Sequence, residues 1–186
     1  MKKTLIISDH LLMAGAERLI FELVAFARSN QLEPVIFILN NYATEYYDAI
    51  FMEMNVKVIR SRLGSVKALR SPFNILRAFY WNFILKKLAN RFYKSVQVIG
   101  LYNAAKAYKL VSHVHRVFWH VTNAAQHLDH TYPIPVEIFN NPDDTIICIN
   151  PYQVDELYTQ YGRENIRAAV KLFKLFTVSY DPAHRS

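Results

Sequence analysis

One cysteine, four glycines and a long stretch without any acidic residue are the scarcities that first constrain this chain of 186 residues. The lone Cys148 cannot form an intramolecular disulfide, which fits a reducing compartment. Its setting, Thr145-Ile146-Ile147-Cys148-Ile149, reads as a buried strand, so the thiol is expected to pack and not to attack. The three glycines of the dinucleotide fingerprint are missing, and so is the lysine of a Walker loop, which removes two common phosphate-binding motifs. No apolar run reaches the ~18 residues needed to span a bilayer. The opening run Leu5-Ile6-Ile7 is interrupted at Ser8-Asp9-His10, too early for a signal peptide, and no suitable cleavage site follows. These absences predict a cytoplasmic protein that does not span a membrane.

The missing acids are concentrated. From Met54 to Leu128 there is no Asp or Glu, yet that stretch carries 13 Lys or Arg. The flanks hold all 15 acids against 9 bases, so the middle of the chain supplies the whole positive excess of the net charge of +7. Such asymmetry points to an anionic partner, whether nucleic acid, phospholipid or a phosphorylated substrate. No recognition motif for DNA or RNA is present.

What the chain has in quantity is apolar surface, 52% of residues, with Tyr and Phe at 12 each, a globular composition with length for one full core. Short apolar runs read as strands at residues 4–8, 35–39, 56–59, 96–99, 117–121, 145–149 and 170–176. Helical spacing occupies residues 16–29, 44–54, 71–93, 104–111 and 151–161, with Ser71-Pro72 suited to a helix start. Pro133, Pro135 and Pro142 mark a loop. This alternation predicts an α/β fold over residues 1–186: a Rossmann-like, doubly wound, mostly parallel sheet with helices on both faces. Ligands of such sheets sit beyond the carboxyl ends of the strands, so functional residues should follow the first, fourth, fifth and sixth.

The segment after the first strand, Asp9 to Arg18, is the first such place. A turn of small residues entering a helix lets backbone N–H groups approach a phosphate or sugar oxygen, aided by the helix dipole. Tight packing of strand on helix would demand small residues equally, and Ala14-Gly15-Ala16 alone leaves both readings open. His120, ending an apolar run, is likewise either a hydrogen-bonded core residue or a site residue able to bond a sugar. His113 and His115 read as solvated loop residues, and no metal-ligand spacing surrounds them.

In full, Met13-Ala14-Gly15-Ala16-Glu17-Arg18 followed by Leu19-Ile20-Phe21-Glu22 resembles the Gly-Gly-x-Glu-Arg helix start of GT-B glycosyltransferases of the glycosyltransferase-4 (group 1) family. Gly15 matches the glycine that approaches the donor diphosphate or the reacting sugar, and Ala14 replaces the one before it. Val98-Ile99-Gly100-Leu101-Tyr102-Asn103 resembles the end of the family's fourth strand, which implies that Tyr102 and Asn103 line the acceptor side. Arg116-Val117-Phe118-Trp119-His120-Val121-Thr122 resembles the strand ending in a histidine at the catalytic centre. Thr145 to Asn150, then Leu157 and Tyr161-Gly162, resembles the strand and helix that follow, with Asn150 where the family commonly has serine.

The resemblance implies the N-terminal, acceptor-side half of a retaining, metal-independent enzyme with no cofactor. Such an enzyme moves sugar from a nucleotide-diphosphate sugar to a hydroxyl in cell-surface polysaccharide or glycolipid synthesis. The family's donor site lies mainly in a second Rossmann-like domain carrying a Glu-x7-Glu pattern. Glu137, Glu156 and Glu164 do not provide that spacing, so the donor half is expected to be absent from these residues, and the chain alone inactive. The alternative is a non-catalytic subunit that docks a membrane or acceptor and is completed by a separate polypeptide.

The basic middle contains Lys67, Arg70, Arg77, Lys86, Lys87 and Arg91 among many aromatic and aliphatic residues, too apolar for one narrow stripe. Two readings stay open there: a core helix with a solvated cationic face, or a helix that enters a membrane interface and meets anionic lipid. The latter would make the protein peripheral at the inner face of a membrane.

Overall fold

Runs of β-branched and aliphatic residues suit strands that are buried on both faces, as the interior strands of a parallel sheet must be. The computed structural model describes residues 2–39, 44–61, 72–101, 103–104, 111, 114–122, 132 and 134–173. Among them the apolar runs form seven strands: β1 (Lys2–Ser8), β2 (Leu32–Ile38), β3 (Lys57–Arg60), β4 (Tyr93–Ile99), β5 (His115–His120), β6 (Thr145–Cys148) and β7 (Ala169–Leu172). Four helices accompany them: α1 (Gly15–Ser29), α2 (Tyr46–Glu53), α3 (Pro72–Phe92) and α4 (Pro151–Tyr161).

The strands make one seven-stranded sheet in the order β3-β2-β1-β4-β5-β6-β7, and each neighbouring pair is parallel. This is the expected Rossmann-like α/β architecture, a doubly wound sheet flanked by helices on both faces. The alternation of side chains along each strand builds two cores. On one face Ile6, Ile36, Ile38, Val117 and Trp119 meet Leu19, Ile20 and Val24 of α1 and Phe51 of α2. On the other, Leu5, Ile7, Phe37, Val98, Phe118, Ile146 and Cys148 meet Leu85 of α3 and Leu157 of α4. Phe37, Phe118, Leu5 and Ile7 are wholly buried, each contributing about 1.5–3 kcal/mol of transfer free energy.

Pro34 lies inside β2, which begins at Leu32, two residues ahead of it. It is tolerated because β3 starts to pair only at Val35, so the missing N–H falls where a single neighbour is bonded. His115 is a correction to the loop assignment: it is the first residue of β5, paired with Ser95, with Nε2 3.2 Å from Thr145 Oγ1. The proline-rich loop contains a 3-10 turn over Val136–Phe139, which buries Ile138 and Phe139 in the second core. The helix expected over residues 104–111 and the end of the last strand, residues 174–176, fall mostly or wholly outside the described residues.

Candidate functional site at the carboxyl edge of the sheet

Strand order decides where a crevice can open. Chain connections run outward from β1 through β2 to β3, then return to β4 on the other side of β1 and proceed to β7. The direction of winding therefore reverses between β1 and β4, and the segments leaving their carboxyl ends diverge there. One is residues 9–14, leading into α1; the other begins at Gly100.

The first segment is anchored by distant side chains. Glu45, nearly buried at the start of α2, accepts from the Leu11 backbone N–H at 2.9 Å and from Arg60 at 2.6 Å. Arg60 also bridges Asp48 at 2.6 Å. Leu11 in turn accepts from the Tyr47 N–H at 3.2 Å. A loop held this way presents its backbone in a fixed position. Nothing in the local sequence marks Glu45 for this role, because Leu11 and Glu45 are far apart along the chain.

At the end of that loop α1 begins without a side-chain cap, since Ala14, at the N-cap, forms no capping hydrogen bond. Its first N–H groups lack the partner that a Ser, Asp or Asn would offer. Gly15 resolves the ambiguity left by the sequence in a simple way. Outside its own first turn a Cβ added there would meet no atom of the described residues within 4 Å, and its φ is not positive. Neither packing nor backbone conformation demands glycine at this position.

Beside it, His10 Nδ1 stands 2.7 Å from the Glu17 Oε1 carboxylate oxygen. Glu17 is buried, whereas the His10 side chain remains about a third exposed. The contact is close but does not meet hydrogen-bond geometry, so it sets a buried carboxylate beside a partly exposed imidazole without fixing the ring's orientation. In the sequence this pair has a single signal, a histidine just past a buried strand with a carboxylate seven residues on in the following helix.

At the β4 side, Gly100 takes a positive φ of 85°, open to glycine without strain, and its N–H donates to the Trp119 carbonyl at 2.9 Å. Asn103 is buried; its amide donates to the Ile99 carbonyl at 2.6 Å, leaving Oδ1 without a hydrogen-bond partner among the described residues. Tyr102 lies outside the described residues.

His120 ends β5, one strand further along, and its side chain is on the α4 face and wholly buried. Tyr132 Oη lies 2.5 Å from Nε2 and donates to Glu156 Oε2 of α4 at 2.7 Å. The phenol has one proton; given to Glu156, it leaves the oxygen to accept from Nε2–H. Cys148 Sγ lies 3.8 Å from Nδ1 on the other side of the ring. Burial pushes the His120 pKa down to about 4, against the opposing pull of Glu156 and the Thr122 backbone, so the ring is neutral. Burial also raises Cys148 to about 12, which keeps the thiol protonated and agrees with a packing role. The sequence placed His120 at this edge but offered no sign of Tyr132 or Glu156.

The basic residues separate in the structure. Among the described residues two bases of the acid-free stretch are held by carboxylates: Arg60 by Glu45 and Asp48, and Arg116 by Asp144, which it grips through Nε at 3.0 Å and Nη2 at 2.5 Å in a fully buried pair. Lys86 and Lys87 of α3 are exposed. Lys67 and Arg70 lie outside the described residues, as do the side chains of Arg77 and Arg91. Among the described residues no group of three His, Cys, Asp or Glu is arranged to hold a metal. Among the same residues no helix is long and apolar enough to cross a membrane.

No family model matches the sequence, and no curated protein is significantly similar to it. Solved structures do match. The crystal structure of Medicago truncatula UGT71G1 complexed with UDP-glucose superposes with a TM-score of 0.56 over 95% of this chain at 12% identity. The domain is one half of a GT-B fold. The chain spans about half, 51%, of the plant protein, as one of two Rossmann-like halves would. At this identity the likeness carries the GT-B architecture and does not single out the glycosyltransferase-4 family within it.

Proposed function

We propose that this GT-B half is the acceptor-side domain of a retaining glycosyltransferase that moves sugar from a nucleotide-diphosphate sugar to a hydroxyl group. The acceptor on this reading is a glycan or lipid-linked glycan of cell-surface polysaccharide or glycolipid synthesis, met at the inner face of a membrane. The observation that carries the proposal is the start of α1: an uncapped helix N-terminus and a glycine that the fold itself does not require, beside the switch point of the sheet. Such a place accommodates an anionic donor group through backbone N–H donors and the helix dipole.

In this proposal Ala14 and Gly15 approach the donor phosphates, Tyr102 and Asn103 line the acceptor side, and His120 acts at the reaction centre. The His120 ring is linked through Tyr132 to the half-buried Glu156, a route by which a neutral imidazole exchanges a proton without itself being exposed. The donor is held mostly by a second Rossmann-like half outside these residues.

The His10–Glu17 pair favours a second reading, in which His10 takes the proton from the acceptor hydroxyl and Glu17 steadies the resulting imidazolium. Direct displacement then inverts the anomeric centre, so product stereochemistry separates the two readings. The non-catalytic alternative, a docking subunit, is separated by turnover itself.

The test is a screen of nucleotide-diphosphate sugars and acceptors on the full-length gene product. Gly15→Val should lower turnover at least tenfold while leaving the thermal midpoint within a few degrees, because the added Cβ has open space around it. A variant as active as the parent would overturn the proposal.

A further inference from the structure

The outer side of α3 is apolar where a soluble helix is normally polar. Over its 21 residues, about 31 Å of helix, Leu85 and Trp81 point inward. Leu85 is fully buried and Trp81 meets Phe37 edge-to-face at 6.2 Å. On the other side Leu76 is 68% exposed, Phe79 68%, Tyr80 58% and Phe83 62%, and Phe73 stands out at 80% near the helix start. At about 100° per residue, Leu76, Phe79, Tyr80 and Phe83 fall in one sector of roughly 100°. Lys86 and Lys87 continue that sector one turn further, with Lys87 Nζ 5.9 Å from the Phe83 ring centroid.

We propose that this face of α3 docks on an anionic lipid bilayer. Aromatic rings sit at headgroup depth, the aliphatic chains reach below them, and the lysines meet lipid phosphates. Charge selects this occupant over a second copy of the chain. No acidic residue occurs in α3 or anywhere from Met54 to Leu128, so two such faces brought together would bury their lysines with no carboxylate of this stretch to pair with. Position agrees. The face looks outward from the sheet, away from the crevice at the carboxyl edge, so docking there leaves the crevice open. Because α3 starts at that edge, the crevice is held close to the headgroups, which rests on the glycosyl-transfer reading for its meaning: the acceptor carries a lipid tail.

Co-sedimentation of the purified chain with phosphatidylcholine vesicles, with and without phosphatidylglycerol, tests the contact with no donor or acceptor present. Its outcome is therefore independent of turnover. Binding should require the anionic lipid and weaken as salt rises. Lys86→Gln with Lys87→Gln should weaken it about thirtyfold, the equivalent of ~1 kcal/mol for each lysine near the surface. Phe79→Ser with Phe83→Ser should weaken it roughly tenfold or more. Lys57→Gln with Lys171→Gln, exposed elsewhere on the sheet edges, should leave it unchanged. A Phe83→Trp reporter should shift its emission to the blue only with anionic vesicles, a readout that survives should the serine variant misfold. Equal recovery in the supernatant with and without phosphatidylglycerol would overturn the proposal. So would equal weakening by the control pair, or self-association without vesicles that the serine pair abolishes.

Discussion

The His120 imidazole illustrates how a single residue is set by its surroundings. Burial holds its pKa at about 4, below the ordinary value of 6.5, so on acidification the unfolded chain takes up the proton first. Its contribution is complete above the unfolded value and is lost as pH falls from 6.5 toward about 4. The full loss is on the order of 3 kcal/mol. Urea unfolding at about pH 7.5, 6 and 4.5 should show this decline, and His120→Gln should flatten the part between the two pKa values. An unchanged slope in the variant would show that the ring is not the group responsible. Gly15 is the opposite case, a residue whose constraint lies outside the fold. Gly15→Ala should leave stability unchanged or raise it by up to ~1 kcal/mol, as alanine restricts the unfolded chain and favours helix. A thermal melt that instead drops by several degrees would return Gly15 to a packing role.

Two of the helices that begin at the carboxyl edge, α1 and α4, are closed differently. At α4, Asn150 Oδ1 accepts from the Gln153 N–H at 3.0 Å, and Gln153 Oε1 accepts from the Ile149 N–H at 2.7 Å. The end of β6 and the first turn of α4 thus satisfy one another. At α1 the N-cap residue, Ala14, has no side chain able to play this part. Asn150→Ala should therefore destabilise by about 1 kcal/mol, whereas Asn150→Ser, the residue common in the family the sequence resembles, should cost less because serine also caps. Chemical denaturation of both variants measures the difference. If Asn150 contacted substrate instead of capping, serine would restore stability without restoring turnover. The capping role was legible, since Asn150-Pro151 followed by Gln153 is a helix-start pattern. The split of α3 into a core side and an exposed apolar side was not: its sequence is apolar nearly all round, and only contact with β1 and β4 fixes which side is inward.

For the whole molecule the decisive feature is the order of strands. It places β1 beside β4 and makes the switch point, where the loop to α1 and the segment from Gly100 leave neighbouring strands. It also brings Arg116 to Asp144 across 28 residues; removing either partner would leave a buried charge at a cost of about 3–5 kcal/mol. The GT-B half contains one wall of the proposed site. Nucleotide-diphosphate sugar should accordingly raise the melting temperature of the full-length gene product and leave that of the 186-residue chain nearly unchanged. A clear rise in the short chain would place the donor contacts within these residues.

Local periodicity was enough to establish the α/β class, the near positions of the seven strands and the small-residue entry to α1, because strands buried on both faces and amphipathic helices each impose their own spacing on the chain. The acid-free, basic stretch was equally visible. Periodicity carries no record of which strand lies beside which, and the tertiary structure alone decided that. It set His10 beside Glu17, enclosed His120 with Tyr132 and Glu156, drew Glu45 onto the Leu11 N–H, and placed the half-buried Arg60 and the buried Arg116 against carboxylates while leaving Lys86 and Lys87 outside. Most of these contacts join residues separated by whole elements, and such partners are set by crossover and register, which no local pattern encodes.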